Sequence, residues 1–355
     1  MEEVKKYKVV GVMSGTSLDG LDLALCSFTY IKSRWCFTID RCSTIAYNND
    51  LKQSLATAQN LSAYDFVKLH REYGVYIGQE IVEFIEGEEN IDLIASHGHT
   101  IFHEPKNNVT FQIGCGVQIS AQTGLKVVSD FRTLDIALGG QGAPLVPIGD
   151  QLLFNDYDGC INLGGFANIS YQQGESRVAY DICPVNIITN DIVKDAFDLP
   201  YDDKGKMGKR GTVIKPLLSE LNNLEFYSLK APKSLAREWV EDCVQPILSK
   251  YETNLAEDIL ATLYMHYAVQ IVNVIDDNKL KNVLFTGGGT FNNYLMELIS
   301  GLTAANVNIP SKETIDFKEA LIFAFLGVLQ QEGEVNCLKS VTGARKDNCG
   351  GSVTN

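Results

Sequence analysis

Two stretches of this chain open in the same way, and that repetition limits the fold more than anything else in the sequence. Near the start, Val9 to Met13 is a short apolar run that ends in Ser14-Gly15-Thr16-Ser17-Leu18-Asp19-Gly20. Leu21 to Phe28 then reads as a second strand, and Trp35, Phe37 and Ile39 alternate along a third. Near the middle the pattern returns. Gly159 to Leu163 is a strand, Gly164-Gly165-Phe166-Ala167-Asn168 a turn, Ile169 to Gln172 a second strand and Arg177 to Ile182 a third. Helices and strands alternate after each opening. In the first half, Phe66, Leu69, Tyr73, Ile77, Ile81 and Phe84 recur at helical spacing, and Ile91 to Ser96 and Lys126 to Phe131 read as strands. In the second, helices are expected at about 187–197, 255–276, 291–301 and 316–331, with a strand at Asn282 to Thr286 leading into Gly287-Gly288-Gly289. The expectation is an α/β fold of two similar lobes. Residues 1–155 form the N-terminal lobe, completed by 332–355, and 156–331 form the C-terminal lobe.

Charge and cysteine usage narrow the surroundings. With 44 acidic against 30 basic residues the net charge is −14. Such a surface repels phosphate backbones, so nucleic acid is not an expected partner. The first residues lack the apolar core of a signal peptide, and no run reads as the ~18 apolar residues a membrane span needs. The nine cysteines are scattered, without a C-x-x-C pair, which fits reduced thiols. A cytoplasmic location without membrane association is the expectation.

The turns carry the chemistry. Ser14 to Gly20 places two glycines, three hydroxyls and a carboxylate, Asp19, where one strand turns back into the next. Backbone can come close to a ligand there, amides can bind anionic oxygens, and Asp19 can hold Mg²⁺ directly or through water. Taken alone, such a turn reads first as a polar hairpin. Asn162-Leu163-Gly164-Gly165 in the matching place, and Gly287-Gly288-Gly289 after a buried strand, shift the reading toward a polyphosphate and an adenosine against bare backbone. The G-x-x-x-x-G-K-[ST] loop and a G-x-G-x-x-G helix opening are both absent from the sequence.

Gly11-Val12-Met13-Ser14-Gly15-Thr16-Ser17-Leu18-Asp19-Gly20 closely resembles the signature of the anhydro-N-acetylmuramic acid kinases. The resemblance continues through Ser96-His97-Gly98-His99-Thr100, Asp130-Phe131-Arg132, Gly139 to Pro147, Asn162 to Asn168, Pro232-Lys233-Ser234, Gly287 to Gly289, Lys318-Glu319-Ala320 and Ser340 to Ala344. It covers nearly the whole chain in order. It implies the actin-like ATPase (ribonuclease H-like) fold, α/β, with two similar lobes and a cleft between them, and a homodimer. It also implies ATP and Mg²⁺ as cofactors and a small anhydro-sugar as partner. The reaction implied is hydrolytic opening of 1,6-anhydro-N-acetylmuramic acid with phosphorylation of O6, for cell-wall recycling. ATP would lie on Gly15, Thr16, Ser17, Leu18, Asp19, Gly20, Leu21 and Asp22, completed by Asn162, Gly164, Gly165, Gly287, Gly288 and Gly289. Asp181 would be the base that activates water. His97, His99, Asp130, Pro184, Asn186 and Glu319 are candidates for the sugar.

The chain departs from the family at three places: His99 stands for a usual glutamine, Cys115 for a usual aspartate, and one stretch around the base differs. Around the base this chain reads Asp181-Ile182-Cys183-Pro184-Val185-Asn186, with side chains at 183 and 185 where family members carry glycine. If those glycines let backbone approach the sugar, Cys183 and Val185 would stand in its way. A kinase for an ordinary hexose or amino sugar, or an ATP-gated sugar-binding protein without turnover, therefore stays open. His97, His99 and His103 could also suggest a strand-end metal site, but the later partners such a site needs are missing. Asp130 and Arg132 could pair with each other or meet a substrate. Gly139 to Pro144 suits a connector, a hinge or a wall of the site, and Asp181 could simply cap the turn at Pro184.

Overall fold

The computed structural model describes residues 4–15 and 17–355. Two compact units divide the chain: Phe154–Asp316 is one, and the residues on either side, Met1–Leu153 with Phe317–Asn355, form the other.

The first unit begins with three antiparallel strands, β1 (Lys5–Ser14), β2 (Leu21–Ile31) and β3 (Arg34–Ile45). β2 is central, and Leu21, Leu23, Ala24, Leu25 and Cys26 are all fully buried, as a strand covered on both faces requires. β3 is exposed or partly exposed along its length, Trp35 apart, because it is the edge. On the other side of β1 lie β4 (Leu93–Glu104) and β6 (Val127–Ser129), both parallel, while β5 (Val109–Ile113) pairs antiparallel with β4. Helix α1 (Ala63–Phe84) covers one face with the stripe read from the sequence: Leu69, Tyr73, Ile77, Ile81 and Phe84 are buried. Ser62 caps it by accepting from the Asp65 amide at 3.2 Å.

The second unit repeats the order. β7 (Gly159–Leu163), β8 (Phe166–Gln173) and β9 (Ser176–Pro184) are antiparallel, and β10 (Asn282–Thr286) and β11 (Asn306–Asn308) are parallel to β7. Its sheet runs β9-β8-β7-β10-β11, and the first unit holds the same path in β3-β2-β1-β4-β6. Each unit thus has the actin-like ATPase topology. Helices α2 (Asn186–Phe197), α3 (Ala256–Asp277) and α4 (Asn293–Leu302) build its core. By length and composition α3 would qualify as a membrane span, contrary to the expectation that no run does. It is apolar because it is a core helix: 72% of an apolar 18-residue window in it is buried in the folded protein.

The long helix α5 (Lys312–Glu332) starts in the second unit and breaks at Phe317, which has non-helical φ/ψ. From there it belongs to the first unit. A Cβ on Gly11 would meet the Ala320 carbonyl oxygen at 2.0 Å, and Phe28 and Phe325 lie 5.4 Å apart. Strand β12 (Ser352–Thr354) then pairs with β6. The division therefore falls at Phe317, not at the expected 332, because the apolar run Ala320–Leu329 covers the second face of the first sheet. The crossings at Leu153–Phe154 and Asp316–Phe317 also leave Gly139–Gly142 inside the first unit, which removes the hinge reading of that stretch.

Candidate active site

In the second unit the two glycine turns lie side by side because β7 and β10 are adjacent and parallel, with Asn162 paired to Thr286. Gly287 has φ +83°, a conformation that favours glycine, and a Cβ there would meet Asn162 Oδ1 at 2.6 Å. Gly289 sits equally tight, 2.7 Å from the Leu163 Cβ, whereas a Cβ on Gly288 meets nothing within 4 Å. Gly164 and Gly165 are also loosely packed, with nearest atoms at 3.3 Å and 3.8 Å. The result is bare backbone facing open space and buttressed from behind, which is what a nucleotide needs to approach main chain.

The carboxylate of Asp181 is tied to the same turn through the chain that follows it. The amide of Val185 donates to Gly165 O at 2.8 Å, and those of Asn186 and Ile187 donate to Gly164 O and Gly165 O, each at 3.3 Å. Pro184 is buried and Asn186 half-buried. A bulge opposite Ala167–Asn168 makes Ile182 the extra residue of β9, turning the strand beside Asp181. Asp181 Oδ2 accepts from the Leu235 amide at 2.8 Å, and its own amide donates to Lys233 O at 3.2 Å. It therefore holds the Lys233–Leu235 segment, not the turn at Pro184. Its Oδ1 accepts no hydrogen bond among the described residues. Burial raises the carboxyl above its ordinary value, and the Leu235 N–H opposes that.

Cys183 and Val185 turn their side chains into the core, away from solvent. Both are fully buried within the core of the second unit, so the departure from glycine is absorbed by packing.

In the first unit, Thr16 lies outside the described residues. Leu18 closes the turn in a left-handed conformation, φ +58°, its amide donating to Gly15 O at 3.2 Å. Ser17 and Asp19 are exposed. Gly20 is packed 2.6 Å (as a Cβ) from Ile45 O, the Leu21 side chain is in the core, and Asp22 accepts from Thr44 Oγ1 at 2.5 Å. Of these, Gly15, Ser17 and Asp19 can offer groups to a ligand, and Leu21 only main chain. Among the described residues of the turn, Asp19 is the carboxylate free to take a cation, which fits Mg²⁺.

The two histidines fare differently. They lie inside β4 and not at its end, around a bulge at Gly98, φ +74°. His97 Nε2 accepts from Arg132 Nε and Nη2 at 3.0 and 2.9 Å, so its proton is on Nδ1, 3.0 Å from Gly98 O. Burial, helped by Arg132, lowers it to about 3. With both nitrogens engaged, His97 holds Arg132 and has none left for the sugar it was expected to reach. His99 Nδ1 is 2.9 Å from Ser14 Oγ, which also accepts from Tyr47, and its Nε2 has no partner among the described residues. Asp130 accepts from Thr133 Oγ1 at 2.6 Å and Arg132 donates to Gly142 O at 2.6 Å, so of the two readings the one that pairs them with each other does not hold. Glu319 follows the break at Phe317. It is accessible to solvent, yet the surrounding protein raises its carboxyl, opposed by Arg132.

The sequence matches the family described as "Anhydro-N-acetylmuramic acid kinase" over residues 7–355. Curated relatives under that name include two proteins of Bacillus thuringiensis, from subsp. konkukian strain 97-27 and from strain Al Hakam, each 32% identical, and one of Bacillus cereus strain Q1, 33% identical. In each case the match covers 98% of both chains. The chain belongs to the anhydro-N-acetylmuramic acid kinase family. By that membership it is a phosphotransferase. Solved structures with a similar chain trace include component A of the (R)-2-hydroxyglutaryl-CoA dehydratase of Acidaminococcus fermentans. It shares 13% identity at TM-score 0.45, over 90% of this chain and 96% of that one. A ROK family glucokinase from Streptomyces griseus shares 10% at 0.41, over 90% and 98%. Likeness of that degree says nothing about chemistry.

Between two of the family stretches, Asp130–Arg132 and Gly139–Pro147, lies a further residue that organises the site. Asp135 is fully buried in a short helix, Thr133–Ala137. Its Oδ2 accepts from the Gly142 amide at 2.8 Å, and its Oδ1 from Thr342 Oγ1, Asn348 Nδ2 and Cys337 Sγ at 2.8, 2.9 and 3.1 Å. Asp135 thus fixes the Gly139–Gly142 loop, whose carbonyl at 142 takes Arg132, which in turn holds His97. The only hint in the sequence was an aspartate within an otherwise apolar turn.

Proposed function

We propose that this protein opens 1,6-anhydro-N-acetylmuramic acid with water and transfers the γ-phosphoryl of ATP to O6, yielding N-acetylmuramic acid 6-phosphate for cell-wall recycling. The observation that carries the reading is Asp181: a half-buried carboxylate with one oxygen held by Leu235 and the other unengaged, attached by chain and hydrogen bonds to a glycine turn. In the reaction, Asp181 takes a proton from water as its oxygen bonds to C1. The C1–O6 bond breaks, and the electrons it leaves on O6 form the new bond to phosphorus as ADP departs. No second carboxylic acid is then needed to protonate the leaving oxygen, unlike an ordinary inverting glycosidase. Gly164–Gly165 and Gly287–Gly289 are assigned to the nucleotide, and Ser14–Gly20 to phosphate by its equivalent place in the first unit. Asp19 would hold Mg²⁺, which neutralises phosphate charge. His99, through Nε2, and Glu319 are assigned to the sugar. A homodimer in the cytoplasm completes the proposal.

The burial of Cys183 and Val185 in the core supports this acceptor over another one and over a silent binding protein. ADP release with ATP and a panel of sugars tests the reading. Release is expected with the anhydro-sugar, together with a new reducing end. Faster release with a simple hexose, or ADP without a reducing sugar, would overturn it.

A further inference from the structure

The second unit contains a cavity of about 720 Å³ that the reaction above does not use. Asp181 does not line it, although Ile182 and Lys233, one its neighbour and the other its main-chain partner, do. The volume is that of small-molecule sites. Its polar wall is made of Asn222, Gln270, Asn273, Lys233, Glu225 and Asp277.

Two of these side chains are set from behind. Asn222 Oδ1 accepts from Gln270 Nε2 at 3.0 Å and lies 2.6 Å from Nδ1 of the buried His266, whose Nε2 is 2.9 Å from Tyr227 OH. Burial lowers His266 to about 3, so the ring is neutral and this network is not a charge site. With those ends engaged, Asn222 has only its Nδ2 donors left to offer, while Gln270 keeps its Oε1 acceptor and one N–H. A donor and an acceptor side by side match the C=O and N–H of a secondary amide. The two carboxylates, Glu225 and Asp277, are acceptors suited to neighbouring hydroxyls. Lys233 rests over the Phe226 ring at 4.5 Å and donates to Phe226 O at 3.1 Å, and with two carboxylates in the wall against this one ammonium an anion has little to gain. Amides, carboxylates and an aromatic hydroxyl around an uncharged centre fit a carbohydrate with an acylated amine.

We propose that this cavity is a second saccharide site, specific for uncharged N-acetylated amino sugars, and that its occupancy is felt at Asp181 through the Lys233–Leu235 segment. The coupling rests on the role given to Asp181; the binding does not.

Saturation-transfer NMR with N-acetylglucosamine and no ATP tests the binding. A signal from the acetyl methyl is expected in the native protein and unchanged in Asp181→Asn, and glucose should bind at least ~10-fold more weakly because the amide ends stay unpaired. Asn273→Tyr, and independently Asn223→Tyr, fill the cavity from exposed positions and should abolish the signal without lowering the melting temperature. No signal in the native protein, equal binding of glucose, or full binding in both tyrosine variants would overturn the site. In turnover assays N-acetylglucosamine should change kcat with KM for the anhydro-sugar unaltered. Purely competitive inhibition would instead place it in the catalytic site and overturn the coupling.

Discussion

At the scale of single residues, the glycines of the second unit separate function from packing. Gly288→Val adds its side chain to open space, so it should leave the melting temperature unchanged and weaken ATP binding measured by calorimetry. Gly289→Val drives a side chain into Leu163 and should instead destabilise by ~1–3 kcal/mol in denaturant titration. Equal ATP affinity in native protein and Gly288→Val would remove that glycine from the nucleotide site. Asp181→Asn keeps the shape but cannot accept a proton, so kcat should fall by ~10²–10⁴ with ATP binding intact. Because burial raises Asp181, its protonation begins at higher pH than for an ordinary carboxylate. Activity should therefore fall with decreasing pH along an acid limb displaced upward, as a pH profile of kcat/KM would show. Such roles were legible in the sequence where the residue type is itself the signal: a glycine in a turn or a carboxylate at a strand end. The engagement of His97 by Arg132 was not, since nothing local to the histidine announces a partner so far along the chain.

At the scale of elements, strands and core helices followed from periodicity, because burial on one face leaves its mark in neighbouring residues. The bulges at Gly98 and Ile182 and the break at Phe317 left no such mark, being set by what packs across them. The Asp135 network is the clearest case. Its donors come from Gly142, Cys337, Thr342 and Asn348, and only the folded chain brings these to one carboxylate. Asp135→Ala leaves several buried donors without a partner and should cost ~3 kcal/mol or more in denaturant unfolding. Loss of the Gly142 anchor should also free Arg132. His97 should then titrate closer to an ordinary histidine, as NMR of its ring protons would show. An unchanged His97 would mean that the loop does not depend on Asp135.

At the scale of the whole molecule, the two units differ in how they are assembled from the chain. Phe154–Asp316 is continuous and contains its own core, so as a fragment it should fold, with cooperative unfolding and a dispersed NMR spectrum. Residues 1–153 alone should not, because Ala320 to Leu329, almost entirely buried, supply one cover of their sheet. A folded 1–153 fragment would show that α5 is dispensable. The division of the first unit also governs how the protein is made. A ribosome releases the opening strands first and the helix that covers them last, with the entire second unit emerging in between. At the usual ~5–20 residues per second, the apolar face that receives α5 waits uncovered for on the order of ten seconds or more. During synthesis the later-made unit can therefore complete its fold before the earlier one, and the nascent first unit is the part that a chaperone has reason to hold.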